Sequence, residues 1–269
     1  MPHKTHRDWM YYSNGDANRI EAFFSGLAYS PHRHDKFVIG MTIEGVQSFR
    51  YRGEDRHSLP GGIIILHPDE THDGRAGTEH GFRYRSAYVE PAIIQAALGG
   101  KALPFIAEGI STDRRLSKAV SRLLAQYDDA LDPLDLDDIL YEVAWSLQEI
   151  GNQREAKGSY NYRATEIARS YIEAHLDEKI TMERLEQISN HNRWELSRDF
   201  RALLGTSPYR YLIMRRLEKA RQMLVEGNTI VDTAIACSFS DQSHLTRHFK
   251  KTYGQTPKKW QTILQAEGF

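Results

Sequence analysis

Between Phe37 and Val89 the apolar positions come in short runs cut by turn residues: FVIGMTI, then QSFRYRG with Phe49 and Tyr51 alternating against Arg50 and Arg52, then GGIIILHP, then FRYRSAYV. Runs of this length and alternation predict a barrel or sandwich of short strands. Gly45, Gly53, the Pro60-Gly61-Gly62 run and Pro68 stand where such strands must turn, since glycine accepts positive φ and proline presets φ. A small barrel leaves a mouth in which a ligand can sit.

The period changes between residues 112 and 152. Leu116, Val120, Leu123, Leu124 and Tyr127 recur at three and four, as do Leu136, Ile139, Leu140, Val143 and Leu147, with Asp132-Pro133 between them. Two amphipathic helices in an antiparallel pair follow, packed on the barrel. The polar stretch GNQREAKGSYN, residues 151–161, has the composition of a linker.

Beyond it lies an internal repeat. WELSRDFRALLGTSP at residues 194–208 returns as SHLTRHFKKTYGQTP at residues 243–257, an offset of 49. Each copy predicts a helix with Leu196, Phe200 and Leu203, or Leu245, Phe249 and Tyr253, on one face, stopped by Gly205 or Gly254. Ser207-Pro208 and Thr256-Pro257 then restart a helix, with a capping hydroxyl ahead of a proline that needs no N–H partner. Asn192 and Glu195 have capping-box spacing. A shorter helix precedes each copy, from Thr181 and from Thr229, so each unit reads helix-turn-helix, the second turn being one residue longer. PYRYLIMRRLEKARQMLVEG between the units predicts about 18 residues of continuous helix, roughly 27 Å at 1.5 Å per residue. Two recognition helices so spaced suit successive major grooves, which recur about every 34 Å.

Composition adds bounds. A chain of 269 residues with 40% hydrophobic and 26% charged residues is globular and long enough for two domains. No segment has the apolar length of a signal peptide or a membrane span, so a cytoplasmic protein without membrane contact is expected. Cys237 is the single cysteine, which excludes an internal disulfide and predicts a small buried core residue. The net charge of −1 is unevenly spread: residues 1–158 carry 18 Lys plus Arg against 23 Asp plus Glu, and residues 159–269 carry 17 against 13. The second half is therefore the side expected to meet a polyanion.

In the first half, PHRHD sets His32 and His34 two apart, which on an extended strand puts both on one face, and His72 follows the LHPDETHDG turn. Three imidazoles in this order resemble the metal face of cupin barrels, yet the glutamate usual a few residues after the second histidine is missing, that stretch being KFVIGM. His32, His34 and His72 are therefore expected to line an effector pocket by hydrogen bonding, with metal ligation and a purely structural role as the alternatives. No cofactor is expected.

FSDQSHLTRHFKKTYGQTP, RRLEKARQML and LGTSPYRYL closely resemble the AraC/XylS-family DNA-binding domain over residues 164–260. PHRHD, the glycine at residue 45 and PGG…HPDETH resemble the effector-binding cupin domain of the same family over residues 27–90. The resemblance implies a bacterial regulator of two domains. Residues 1–158 form a mainly β cupin-like barrel with an added helical pair (residues 112–152). Residues 159–269 form an all-α domain with two helix-turn-helix units joined by a long helix. It also implies promoter DNA and a small-molecule effector as partners, with RNA polymerase a candidate, and a homodimer for which the helical pair is one candidate interface. By position in the motif, base readout falls to Arg193, Trp194, Ser197 and Arg198, then Gln242, Ser243, His244, Thr246 and Arg247, with Arg201, Lys250 and Lys251 on the phosphate backbone. Three positions depart from the pattern: Glu186 replaces a small alanine, and Asn190 and Ser238 replace a turn glycine that needs positive φ. The competing class is a metal-dependent cupin enzyme with an accessory DNA-binding tail, which the missing glutamate disfavours.

Overall fold

The computed structural model describes residues 8–13, 18–125, 131–151 and 160–266. Contacts divide the chain into two compact units, Met1–Pro31 with Lys36–Gly158, and Ser159–Phe269 with His32–Asp35. Most of the polar stretch read as a linker lies outside the described residues.

The first unit is built on two antiparallel sheets. One has six strands, β1 (Trp9–Ser13), β2 (Arg19–Phe24), β4 (Phe37–Gly45), β7 (Ile63–Leu66), β9 (Phe82–Val89) and β10 (Ile110–Ser111), in the order β1-β2-β9-β4-β7-β10. The other has four, β3 (Leu27–His32), β5 (Gln47–Tyr51), β6 (Glu54–Ser58) and β8 (His72–Ala76), in the order β3-β8-β5-β6. Among the described residues the sheets do not close into one hydrogen-bonded barrel; the architecture is a cupin-like double sheet. The apolar runs predicted β4, β5, β7 and β9; β3, β6 and β8 carry too many polar residues to stand out by hydrophobicity, and β2 (RIEAFF) lies ahead of the region read as strands. Alternation sorts β4 and β7 between two cores: Val38, Ile64 and Leu66 join Phe49 and Tyr51 in one cluster, and Phe37, Ile39, Ile63 and Ile65 point the other way.

That second face is covered by helices. α1 (Pro91–Ala97), α2 (Arg114–Ala125) and α3 (Pro133–Ile150) bring Ile94, Leu116, Val120, Leu123, Ile139, Val143 and Leu147 onto it, all buried. The predicted helical pair thus seals the six-stranded sheet. Asp132 caps α3 through Leu134 N (2.9 Å) and Asp135 N (3.3 Å), with Pro133 at the first helical position. The short α1 was not foreseen; seven residues, PAIIQAA, are too few to show a helical period.

The second unit is helical: α4 (Tyr162–Ala174), α5 (Met182–Ser189), α6 (Arg193–Leu204), α7 (Pro208–Val225), α8 (Ile230–Ala236), α9 (Gln242–Tyr253) and α10 (Pro257–Ala266). The sequence repeat extends to the helix caps. Thr181 Oγ1 accepts from Arg184 N at 3.3 Å and Thr229 Oγ1 from Asp232 N at 3.1 Å. Gly205 and Gly254 end α6 and α9 at φ 72° and 70°, and Ser207 and Thr256 restart the chain at Pro208 and Pro257. Leu196 and Phe200 are buried as Leu245 and Phe249 are, but Thr252 rather than Tyr253 takes the buried place of Leu203. The residues at the two turns, Asn190 (φ 49°) and Ser238 (φ 53°), both adopt the left-handed conformation. A serine there is unfavourable by about 1–2 kcal/mol, and it is anchored: Ser238 Oγ donates to Asp177 O at 2.6 Å.

Arg216, on α7, ties this unit together. Its Nε donates to Leu176 O (2.8 Å), Nη2 to Glu178 O (2.6 Å) and Nη1 to Ser238 O (3.2 Å), joining the loop after α4 to the turn between α8 and α9. The side chain is largely buried, and desolvation lowers its pKa. An ammonium cannot span three carbonyls as a planar guanidinium does. Arg216→Lys is expected to cost about 2–4 kcal/mol of stability, from hydrogen bonds by a charged donor worth about 1.5–3 kcal/mol each, read as a lowered urea midpoint at unchanged slope.

Candidate DNA-binding face and histidine cluster

The two repeated helices present the residues singled out by the motif, and present them differently. On α9, Gln242, Ser243, Arg247, Lys250 and Lys251 are exposed, and His244 and Thr246 are half-buried. Asp241 caps the helix through His244 N at 2.7 Å. Ser240 N donates to His244 Nδ1 at 3.3 Å, so that ring nitrogen is an acceptor and Nε2 carries the proton. The His244 ring rests against Phe239 (5.4 Å between centroids) and His248 (4.7 Å). His248, not foreseen as part of this face, is held below its ordinary pKa by burial first and by the neighbouring cations of Arg247, Lys251 and Arg210 after it.

On α6, Trp194 is 80% exposed, so the indole is free of the core. Arg198 is exposed but points Nε and Nη2 at the buried Asp199 (3.0 and 2.9 Å), which also accepts from Asn161 N (2.8 Å). Arg201 Nη1 donates to Ser197 O at 2.9 Å. Arg193 is held by acids of α5: Nη2 lies 2.6 Å from Glu186 and 3.1 Å from Glu183, and Glu186 Oε1 accepts from Arg193 N at 2.8 Å. Glu186, the residue that departs from the motif, therefore finds its partner at the start of the recognition helix. Asn192 Oδ1 accepts from Trp194 N and Glu195 N (3.1 and 3.0 Å), the N-cap half of the capping box, while Glu195 Oε2 accepts from the Asn192 side-chain amide rather than from its backbone. Glu183 was not legible as a partner, because ion pairing between helices leaves no sequence periodicity.

In the amino-terminal half His32, His34 and His72 come together: all three are buried, and one ring nitrogen from each lies within 4.8 Å of the others. His32 ends β3 and His72 begins the neighbouring β8, whereas His34 lies past the strand end, so sheet pairing as well as spacing assembles the group. His72 Nδ1 lies 3.0 Å from Glu70 O and donates to it, which leaves Nε2 with its lone pair. The rings of His32 and His34 are 6.1 Å apart.

A fourth buried histidine was missed. His67 Nε2 accepts from Ile106 N at 3.0 Å, and Nδ1 is 2.8 Å from Tyr51 Oη. Both nitrogens are engaged in the core, and burial, with the Arg52 cation as a lesser cause, lowers the ring's pKa to about 3.

The family profile of the AraC-like ligand binding domain matches residues 14–144, and that of a helix-turn-helix domain matches residues 185–263. The chain belongs to the AraC family. This AraC-family transcription regulator is 25% identical to the uncharacterized HTH-type transcriptional regulator YbfI of Bacillus subtilis, over 84% of the chain and 86% of that protein. It is 23% identical to the HTH-type transcriptional activator RhaS of Citrobacter koseri, over 89% and 90%. Among solved structures, an apo single-residue variant of ToxT from Vibrio cholerae superposes with a TM-score of 0.66 at 11% identity, covering 94% of this chain and all of that one. ToxT bound to an unsaturated fatty acid superposes at 0.61 with 10% identity, covering 99% of each chain. At these identities the likeness is one of fold. As an AraC-family regulator the protein binds DNA and carries a ligand-binding domain at its amino-terminal side. Among the described residues no helix is long and apolar enough to cross a membrane.

The neutral His67 makes folding pH-dependent. Its folded pKa is depressed, so the unfolded chain takes up a proton near pH 6.5 that the folded chain refuses until about 3. Stability is present above that range and falls with acid, by roughly 2 kcal/mol from pH 7.5 to 5. Urea unfolding of His67→Gln is expected to show a correspondingly flatter pH profile.

Proposed function

We propose that the protein reads a promoter operator through α6 and α9 and adjusts transcription to a small molecule held in its amino-terminal half. The observation that carries this reading is the exposed row Gln242, Ser243, Arg247, Lys250 and Lys251 on one capped helix of a tandem helix-turn-helix domain. Arg247 and Gln242 have the chemistry for guanine and adenine edges, with Ser243, Thr246 and the Nε2–H of His244 as further donors. Lys250, Lys251 and Arg201 serve the phosphates, and Trp194, Ser197 and Arg198 complete the first unit's face. The division falls at Gly158, with residues 1–158 sensing and 159–269 binding DNA. The protein acts in the cytoplasm as a homodimer, with RNA polymerase as a partner, and catalyses no reaction.

His32, His34 and His72 are the polar groups of the proposed effector site, where three imidazoles suit an anionic or hydroxyl-rich ligand. The competing reading, a metal-dependent cupin enzyme with a DNA-binding tail, draws on the same cluster. Three neighbouring imidazoles, one with its Nε2 lone pair set by the Glu70 carbonyl, fit a divalent ion, which they would hold and which would supply Lewis acidity.

Two measurements test these assignments. In the full chain, Arg247→Ala is expected to weaken operator binding about tenfold or more and to relax one base position. Lys250→Ala should instead weaken all duplexes alike and lower the salt slope by about 1. Operator binding left intact by the Arg198→Ala, Arg247→Ala double substitution would refute the face. For the cluster, a thermal-shift panel of sugars, amino acids, aromatic acids and unsaturated fatty acids should yield a ligand whose stabilisation disappears in His32→Ala, His34→Ala protein. Stoichiometric iron, zinc or manganese lost in the same variant, with no such ligand, favours the enzyme reading.

A further inference from the structure

The two helix-turn-helix units share a fold and a cap pattern, yet differ in charge at the mouth of the recognition helix. Aligned on the left-handed turn residues Asn190 and Ser238, Glu186 corresponds to Ala234, a core residue only 1% exposed, and Glu183 to the apolar Val231. Across the 49-residue offset Arg193 corresponds to the neutral Gln242. The first unit alone therefore couples two acids of α5 to an arginine at the first position of α6.

We propose that Glu186, assisted by Glu183, withholds Arg193 from DNA, so that the second unit carries most of the base readout and the first unit grips weakly. The inference rests on the DNA-face reading above. Three observations support it. Glu186 Oε2 accepts from the guanidinium twice, from Nε at 3.1 Å and from Nη2 at 2.6 Å, both charge-assisted hydrogen bonds. The same carboxylate accepts from Arg193 N, so it cannot swing aside without removing a backbone partner from the first turn of α6. Glu195, exposed in that turn, adds a further acid where a phosphate would approach, and Asn192 already occupies the N–H groups of Trp194 and Glu195. The first turn of α6 thus offers neither a ready guanidinium nor open backbone donors; of its later cations, Arg198, matching Arg247, is turned to Asp199 and Arg201, matching Lys250, to Ser197 O, and Ala202 stands where α9 has the exposed Lys251.

The test uses the full chain and two probes: a duplex selected by the wild-type protein from a randomised pool, and the same duplex with its sequence shuffled. Arg193→Ala is expected to bind the selected duplex within twofold of wild type. Glu186→Gln keeps an oxygen to accept from Arg193 N but removes the charge. It should tighten binding to both duplexes about fivefold and steepen the salt dependence by roughly one phosphate contact. The Glu186→Gln, Arg193→Ala pair should return to the wild-type value. Glu183→Gln, which takes no part in capping α6, should give a smaller gain in the same direction, so that a folding defect in one variant does not decide the matter. A tenfold loss in Arg193→Ala alone, or no gain in either glutamine variant, overturns the proposal. Arg247→Ala serves as the reference: if it keeps the preference for the selected duplex, the DNA-face reading itself fails and takes this inference with it.

Discussion

Three carbonyl oxygens converge on the guanidinium of Arg216, and the DNA-binding half is organised around that convergence. Leu176 and Glu178 belong to the loop that leads toward the first helix-turn-helix unit, and Ser238 is the left-handed residue inside the second. A single side chain on α7 thus fixes both the loop ahead of the first unit and the turn of the second to the helix that separates the units. The unsatisfied carbonyls that loops and helix ends leave behind must find donors when they are buried, and here one rigid fork supplies three. The strained turn at Ser238 is held from two sides, by its own hydroxyl on Asp177 and by Arg216 on its carbonyl.

Within that frame the sequence disclosed what local rules govern. Capping hydroxyls, helix-stopping glycines and prolines at first helical positions are decided by neighbours a few residues away. Accordingly the boundaries at Thr181, Asn192, Gly205, Pro208, Thr229 and Pro257 could be read directly, as could the 18-residue span of α7. The extra residue in the second turn was equally plain, since Asn190 precedes the cap Asn192 by two positions and Ser238 precedes Asp241 by three. The β half was less legible. Strands such as Glu54–Ser58 and His72–Ala76 owe their conformation to partners across the sheet, and no alternation of apolar residues announces them. For the same reason the pairing of β3 with β8, which assembles the histidine cluster, was not readable, although its three members were.

The polar partners of long range were the least accessible. Asp199 draws in Asn161, His191 and Arg198, and His67 is shared by Tyr51 and Ile106. Asn161 lies 38 residues from Asp199 and Ile106 lies 39 from His67, so no local rule brings either pair together. Departures from the family pattern proved the better guide: Glu186, conspicuous only because a small residue was expected, marks the place where the two DNA-binding units diverge.

The unequal turns add one consequence. In the first unit a single residue, His191, fills the space between the left-handed turn and the cap, and its ring reaches Asp199 at 3.2 Å. In the second unit Phe239 and Ser240 fill it: Ser240 supports His244 in the first turn of α9, and Phe239 packs against both His244 and His248. The duplicated segments have accordingly ceased to be interchangeable modules. Grafting the residues of one repeated helix onto the other would carry over the side chains but not the platform that positions them.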